Sequence, residues 1–254
     1  MTPPAALDRG IEVALRRDRW IVAASLAVVV ALAWLYLWRE AGMMVHVAMG
    51  HMEMGPLATF AMWAVMMVGM MLPSAAPAVL LYGAMVRRNG ERTTVLPAVW
   101  IFTSGYLAAW AAFSALATLL QIALGRAALV TPMMTSASAR LTAGILIVAG
   151  IYQWLPVKAA CLGKCRSPLE LFVSRWRAGA GGTFRMGVEH GVYCVGCCWV
   201  LMLLLFAAGV MNLLAVALIA GFVLVEKLLP AARIVSRAAG AGLVLAGVYL
   251  LTRA

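Results

Sequence analysis

The sequence predicts an all-α protein, a polytopic integral membrane helical bundle of about seven transmembrane helices formed by a single membrane domain over residues 1–254. Three observations carry this reading. Of 254 residues, 65% are hydrophobic and only 11% are charged. The mean hydropathy is +0.98. The apolar runs repeatedly reach the ~20 residues that a helix needs to cross a ~30 Å hydrocarbon core. What lies between them is too short for a second, soluble domain. A net charge of +11 would raise the question of nucleic acid in a soluble chain, but here it fits basic loops held on one side of a lipid bilayer, with no nucleic-acid partner.

The spans follow in order. The first, 20–38, comes after Arg9, Arg16, Arg17 and Arg19. The alanines near residues 31–33 would suit a cleaved signal peptide, but the apolar run has spanning length, so an uncleaved anchor is the preferred reading. The second and third, 57–85 and 95–124, are longer than one crossing needs and are expected to tilt, kink or project. Pro73 and Pro77 place the kink in the second, where each proline frees a carbonyl that must find another partner at depth. The fourth span is 139–155, and the last three are 184–209, 211–227 and 234–252, with a short join near Gly209–Asn212 as the weakest boundary.

Between Pro156 and Gly182 the chain is too polar to span. Ser167 as cap, Pro168 at the first position and the stripe Leu169, Phe172, Val173, Trp176 predict a short amphipathic surface helix near 168–178. Arg175 and Arg177 would hold it on anionic lipid. With the N-terminus cytoplasmic, 16 of the 20 Lys and Arg fall inside, leaving Arg39, Arg126, Arg140 and Arg253 outside.

Function is sought where reactive groups enter this apolar framework. Met186, His190, Cys194, Cys197 and Cys198 recur every three or four residues, so they share one face of the fifth span. Polar and reactive side chains in hydrocarbon face a bundle interior or cavity. His190, Cys194, Cys197 and Cys198 are therefore the predicted central metal site. A second cluster lies outside, where Met43, Met44, His46, Met49, His51, Met52, Glu53 and Met54 crowd one loop. Thioether and imidazole suit Cu(I), and Met does not form disulfides in an oxidising compartment. His46, Met49, His51, Met52 and Met54 are read as capture ligands.

Met62, Met66 and Met70 follow at successive i+4 steps on the second span. Such a stripe also serves as packing material, but its ligand softness continues that of the loop and the cysteines, and a relay is read there. Counting 1.5 Å per residue from opposite faces puts the methionines and the cysteines ~14–24 Å deep, near the midplane. Cys161 and Cys165 form a CxxxC on the cytoplasmic connection, a candidate inner delivery pair whose spacing equally fits incidental thiols.

Two acids complete the set. Glu189 neighbours His190 and is a candidate proton carrier or orienting partner. Glu226 is a second candidate proton group, although the Glu226–Lys227 pair ending the sixth span reads first as an interfacial pair that snorkels.

Five cysteines, all between residues 161 and 198, do not make a secreted disulfide framework. There is no CxxCH for haem, no GxxxxGK[ST] phosphate loop and no hydrolase triad pattern.

Met66-Met67-Val-Gly-Met70-Met71-Leu-Pro73-Ser-Ala-Ala-Pro77, then Gly187-Val-Glu-His190-Gly-Val-Tyr-Cys194-Val-Gly-Cys197-Cys198-Trp199, then Glu226-Lys227-Leu-Leu-Pro230, resemble the bacterial predicted metal-binding integral membrane proteins, domain of unknown function 2182. The resemblance implies a bacterial inner membrane and a bound metal. It implies no reaction. The sequence reading is a non-enzymatic membrane protein that binds a soft transition metal, Cu(I) first and zinc second, for transport or handover. Its partners are the metal ion, the bilayer and a metallochaperone or metalloenzyme client. A metal-insertion partner for another enzyme and a thiol-disulfide oxidoreductase using Cys194 and Cys197 are the alternatives.

Overall fold

A computed structural model describes the backbone of residues 4–49, 55–88, 95–129, 138–229 and 231–253, and the side chains of these except 4–16, 43–49 and Leu171. Nine helices and no strand occur among the described residues: α1 (Pro4–Met49), α2 (Pro56–Arg88), α3 (Val95–Arg126), α4 (Ala139–Tyr152), α5 (Pro156–Arg166), α6 (Pro168–Ser174), α7 (Gly179–Ala208), α8 (Leu213–Leu228) and α9 (Ala232–Arg253).

Five of them are long and apolar enough to cross a membrane: Arg17–Gly42 within α1, then α2, α3, α7 and α9. A sixth arises if α4 and α5, bent by 64° at their junction, count as one broken span. Seven spans were expected, and the fourth and sixth are where the structure differs. The apolar run of 139–155 stops at Tyr152 because Pro156 forces Leu155 into extended backbone, φ −69° and ψ 140°, before α5 starts. α8 has 16 residues, about 24 Å at 1.5 Å each. It is apolar but short of the ~20 residues of a full crossing.

Small residues set the closest helix contacts. A Cβ on Gly105 would strike the Phe184 carbonyl, and one on Gly187 would strike that of Phe102. α3 and α7 thus run in parallel with their backbones touching, as expected where van der Waals fit replaces the hydrophobic drive between helices. α4 and α9 pack in the same way, antiparallel, through Gly150 and Gly240. α2 runs through Pro73 and Pro77 as one helix. The carbonyl that Pro73 leaves free, that of Gly69, accepts the Trp34 indole N–H at 3.3 Å.

One end of the bundle is basic. Asp18 of α1 pairs there with Arg87 of α2, and Arg185 lies in the first turns of α7. α6 packs at this end, but not as an apolar face laid on lipid. Phe172 is fully buried, edge-on to Tyr82 at 5.7 Å and Phe102 at 5.5 Å. Trp176, just beyond the helix, stacks on Tyr82 at 5.6 Å. Only Leu169 and Val173 of the expected stripe stay exposed, so half of it plugs the bundle.

Candidate metal centre

α2 supplies a column of sulfur. Met62, Met66, Met67, Met70 and Met71 are all buried, packed against Tyr106, Trp110 and Phe113 of α3 and Leu201, Met202, Leu205 and Phe206 of α7. Trp63 bounds the column at the end away from the basic residues. Its indole N–H donates to Gln121 Oε1 at 2.6 Å, and its ring lies 5.4 Å from Phe206. The sulfur that reaches the cysteines is not on the Met62–Met66–Met70 stripe. It belongs to Met71, whose Sδ is 3.9 Å from Cys198 Sγ.

α7 supplies the thiols. Cys194, Cys197 and Cys198 are all buried, and Cys194 stands at the middle of the helix. Cys197 and Cys198 turn back on their own helix, with Sγ 3.1 and 2.9 Å from the Cys194 carbonyl, the i−3 and i−4 bonding open to short side chains. Cys194 Sγ lies beside this pair. It meets Tyr106 OH at 3.0 Å and the Lys227 ammonium at 2.9 Å. Lys227 also donates to Ser74 Oγ at 2.8 Å, and Ser74 in turn donates to the Met71 carbonyl at 2.8 Å. Tyr106 OH is 3.2 Å from that same carbonyl. The cysteine helix, the proline turn of α2, α3 and the end of α8 are thus tied to one sulfur.

A fourth thiol joins from α5. Cys165 is buried in the same core, beside Cys194 and Cys197. Cys161 and Cys165, expected as a pair, thus have different surroundings. After the 64° bend α5 folds back across α7, sending Cys165 inward, while Cys161 packs half-buried against Gly196. All five cysteines are free thiols.

The remaining candidates divide. His190 is buried between Phe102 at 6.1 Å and Tyr106 at 5.8 Å, and its Nδ1 has no hydrogen-bond partner among the described residues. Glu189, a candidate proton carrier or orienting group for His190, is instead engaged by Arg185 at 3.4 Å, Arg175 at 3.7 Å and Arg177 at 4.0 Å. It faces the basic end because one residue along a helix turns the side chain by about 100°.

Glu226 and Lys227 do not snorkel. They are 1% and 7% exposed, and they diverge. Glu226 takes Lys158 Nζ at 2.7 and 2.8 Å and Ser236 Oγ at 2.5 Å, while Lys158 also bonds Gln153. His46 and Met49 fall on the last turns of α1, outside the described side chains, and His51, Met52 and Met54 lie outside the described residues altogether.

Among the described residues no three His, Cys, Asp or Glu side chains are arranged to hold a metal ion. The set is instead rich in pairs of soft donors, thiol with thiol and thiol with thioether. Such donors suit soft and borderline ions, Cu(I) and Zn(II) among them, and they give a hard ion nothing.

Tyr106 and Ser74 were not among the expected site residues, and Lys227 was expected only as half of an interfacial pair. Their one signal was polarity within apolar spans, and Lys227 and Lys158 were absorbed into the count of basic residues.

An all-helical bundle with membrane-length apolar helices and a sulfur cluster at its heart defines a class suited to handling a soft metal. The sequence model of the family described as PpoB2, copper chaperone, matches residues 60–250, and the chain belongs to that family. The match contains α2 from Phe60 onward, the four clustered cysteines and Lys227, and it begins after the His46–Met54 segment. No curated protein and no solved structure matches the chain.

Proposed function

We propose that the protein is a multi-pass chaperone of the bacterial inner membrane that binds Cu(I) on Cys194 together with a second clustered sulfur and hands it to a client metalloenzyme or metallochaperone. The observation that carries this reading is the arrival of Cys165 from α5 at the thiols of α7 beside Met71. Residues 29 positions apart supply soft donors to one buried point. Packing alone asks for no such convergence of sulfur.

Met62, Met66 and Met70 form the approach, with the His46–Met54 segment, which precedes α2 in the sequence, as the capture site. The excess of Lys and Arg sets the basic end in the cytoplasm. Lys227 provides the counter-charge that a thiolate at Cys194 needs in a medium of low dielectric constant. His190, with Nδ1 unpartnered, is an accessory donor. The family description supports handover over sustained transport. The chain needs no reaction of its own for this task, and Zn(II) is the competing metal.

The test is metal content after purification in detergent under anaerobic, reducing conditions with Cu(I) supplied. The wild type retains stoichiometric copper, and the Cys194→Ser/Cys197→Ser/Cys198→Ser variant loses it. A copper-free wild type, or a variant with undiminished copper, sinks the proposal.

A further inference from the structure

Lys227 is buried, and no carboxylate among the described residues lies within salt-bridge distance of it. Its ammonium donates to Ser74 Oγ at 2.8 Å and to Cys194 Sγ at 2.9 Å. Cys165, Cys197, Cys198, Tyr106 and His190 are the other titratable groups around it among the described residues. The adjacent carboxylate, Glu226, points to Lys158 and Ser236 and is fully engaged there. A buried cation is costly unless paired. Of the groups here able to carry the opposing charge, the thiols are intrinsically more acidic than the Tyr106 phenol, and Cys194 is the one in contact with the ammonium.

We infer that Lys227 is a specificity-determining residue whose fixed positive charge makes the cysteine cluster select a monovalent soft ion, Cu(I), over the divalent Zn(II). The inference rests on the Cu(I) chaperone reading and follows from charge balance. A monovalent ion between two thiolates leaves a single negative charge, which the Lys227 ammonium neutralises. A divalent ion between the same two thiolates is itself neutral and leaves the ammonium buried without a counter-ion. A third thiolate would restore the balance for Zn(II), but Cys197 and Cys198, although they lie beside Cys194, both donate their S–H to the Cys194 carbonyl and are held there as neutral thiols, which leaves Cys194 and Cys165 as the two thiolates. Lys227 thus acts through Cys194 as a positioning and charge-setting residue that does not itself ligate the metal.

The experiment compares full-length wild type with Lys227→Met, Lys227→Arg and Ser74→Asp, each purified anaerobically in detergent and titrated with Cu(I) against Zn(II). Metal content is read by elemental analysis, and melting of the metal-free protein is read beside it. Wild type and Lys227→Arg retain the preference for Cu(I). In Lys227→Met, where the charge is gone, the Cu(I):Zn(II) preference falls about tenfold or more, the change expected for ~1.4 kcal/mol.

Ser74→Asp keeps the ammonium but places a carboxylate beside it. The preference falls in the same direction there, so the inference stays testable even where Lys227→Met fails to fold. An unchanged preference in Ser74→Asp and in folded Lys227→Met overturns the inference and leaves the chaperone reading standing. A wild type that retains no Cu(I) overturns both.

Discussion

Trp34 of α1 donates its indole N–H to the carbonyl of Gly69 at 3.3 Å, the one acceptor in α2 that Pro73 strips of its helical donor. The α1 helix is thereby fastened to the segment of α2 that carries Met70 and Met71. Trp34→Phe keeps the ring and deletes the donor. It is expected to lower stability by ~1–3 kcal/mol, the cost of an unsatisfied buried acceptor, seen as a lower melting temperature in detergent. An unaltered melting temperature would show that Gly69 finds another partner.

Glu226 is the sole carboxylate among the described residues that meets Lys158, and both are buried. Glu226→Gln leaves the ammonium unpaired and should cost ~3–5 kcal/mol, whereas Glu226→Gln combined with Lys158→Met should recover much of that loss. Chemical unfolding of the two variants decides. If the double variant is no more stable than the single one, the pair is not the source of the effect.

Cys165 and Cys161 are four residues apart on α5, yet only Cys165 reaches the thiols of α7. Cys165→Ser is expected to lower copper retention on the scale of Cys194→Ser, and Cys161→Ser to leave it near the wild-type value. Equal losses in the two variants would contradict the folded-back placement of α5.

Met66 and Met70 are fully buried and make the α2 column compact. Leu for Met conserves volume and usually costs under ~1.5 kcal/mol. Met66→Leu/Met70→Leu should therefore melt close to wild type while loading copper more slowly. Unchanged loading kinetics would reduce the column to packing.

Gly187 has no room for a methyl group, because a Cβ there runs into the Phe102 carbonyl, whereas nothing lies within 4 Å of one on Gly144. Gly187→Ala is expected to destabilise by ~1–3 kcal/mol through overpacking. Gly144→Ala should be neutral or gain up to ~1 kcal/mol from helix propensity. Similar melting temperatures for the two would refute the backbone contact of α3 with α7.

The helical class and most spans were legible because apolar length alone encodes them. The face shared by His190, Cys194, Cys197 and Cys198 was legible because helical periodicity fixes it, and all four side chains are buried. What periodicity cannot encode is how elements meet. Cys165 looked peripheral because its sequence neighbours are polar, and the inward turn of α5 depends on Pro156 and on Lys158, whose buried partner Glu226 lies 68 residues on. Glu189 looked like a companion of His190 because adjacency in sequence suggests adjacency in space, which a helix denies. Lys227 looked like an interfacial charge because the sulfur that neighbours it lies 33 residues away.

The opposed directions of Glu226 and Lys227 also bear on how α8 is set in place. A short apolar helix among apolar neighbours slides and rotates at little energetic cost, since no face of it prefers water. Two consecutive charges, one drawn to Lys158 and Ser236 and the other to Cys194 and Ser74, act like the bit of a key. Deleting one residue upstream of them would swing both by about 100° and break every one of these bonds at once. α8 is consequently fixed in register by electrostatics rather than by shape, and the sulfur cluster inherits its alignment from that lock.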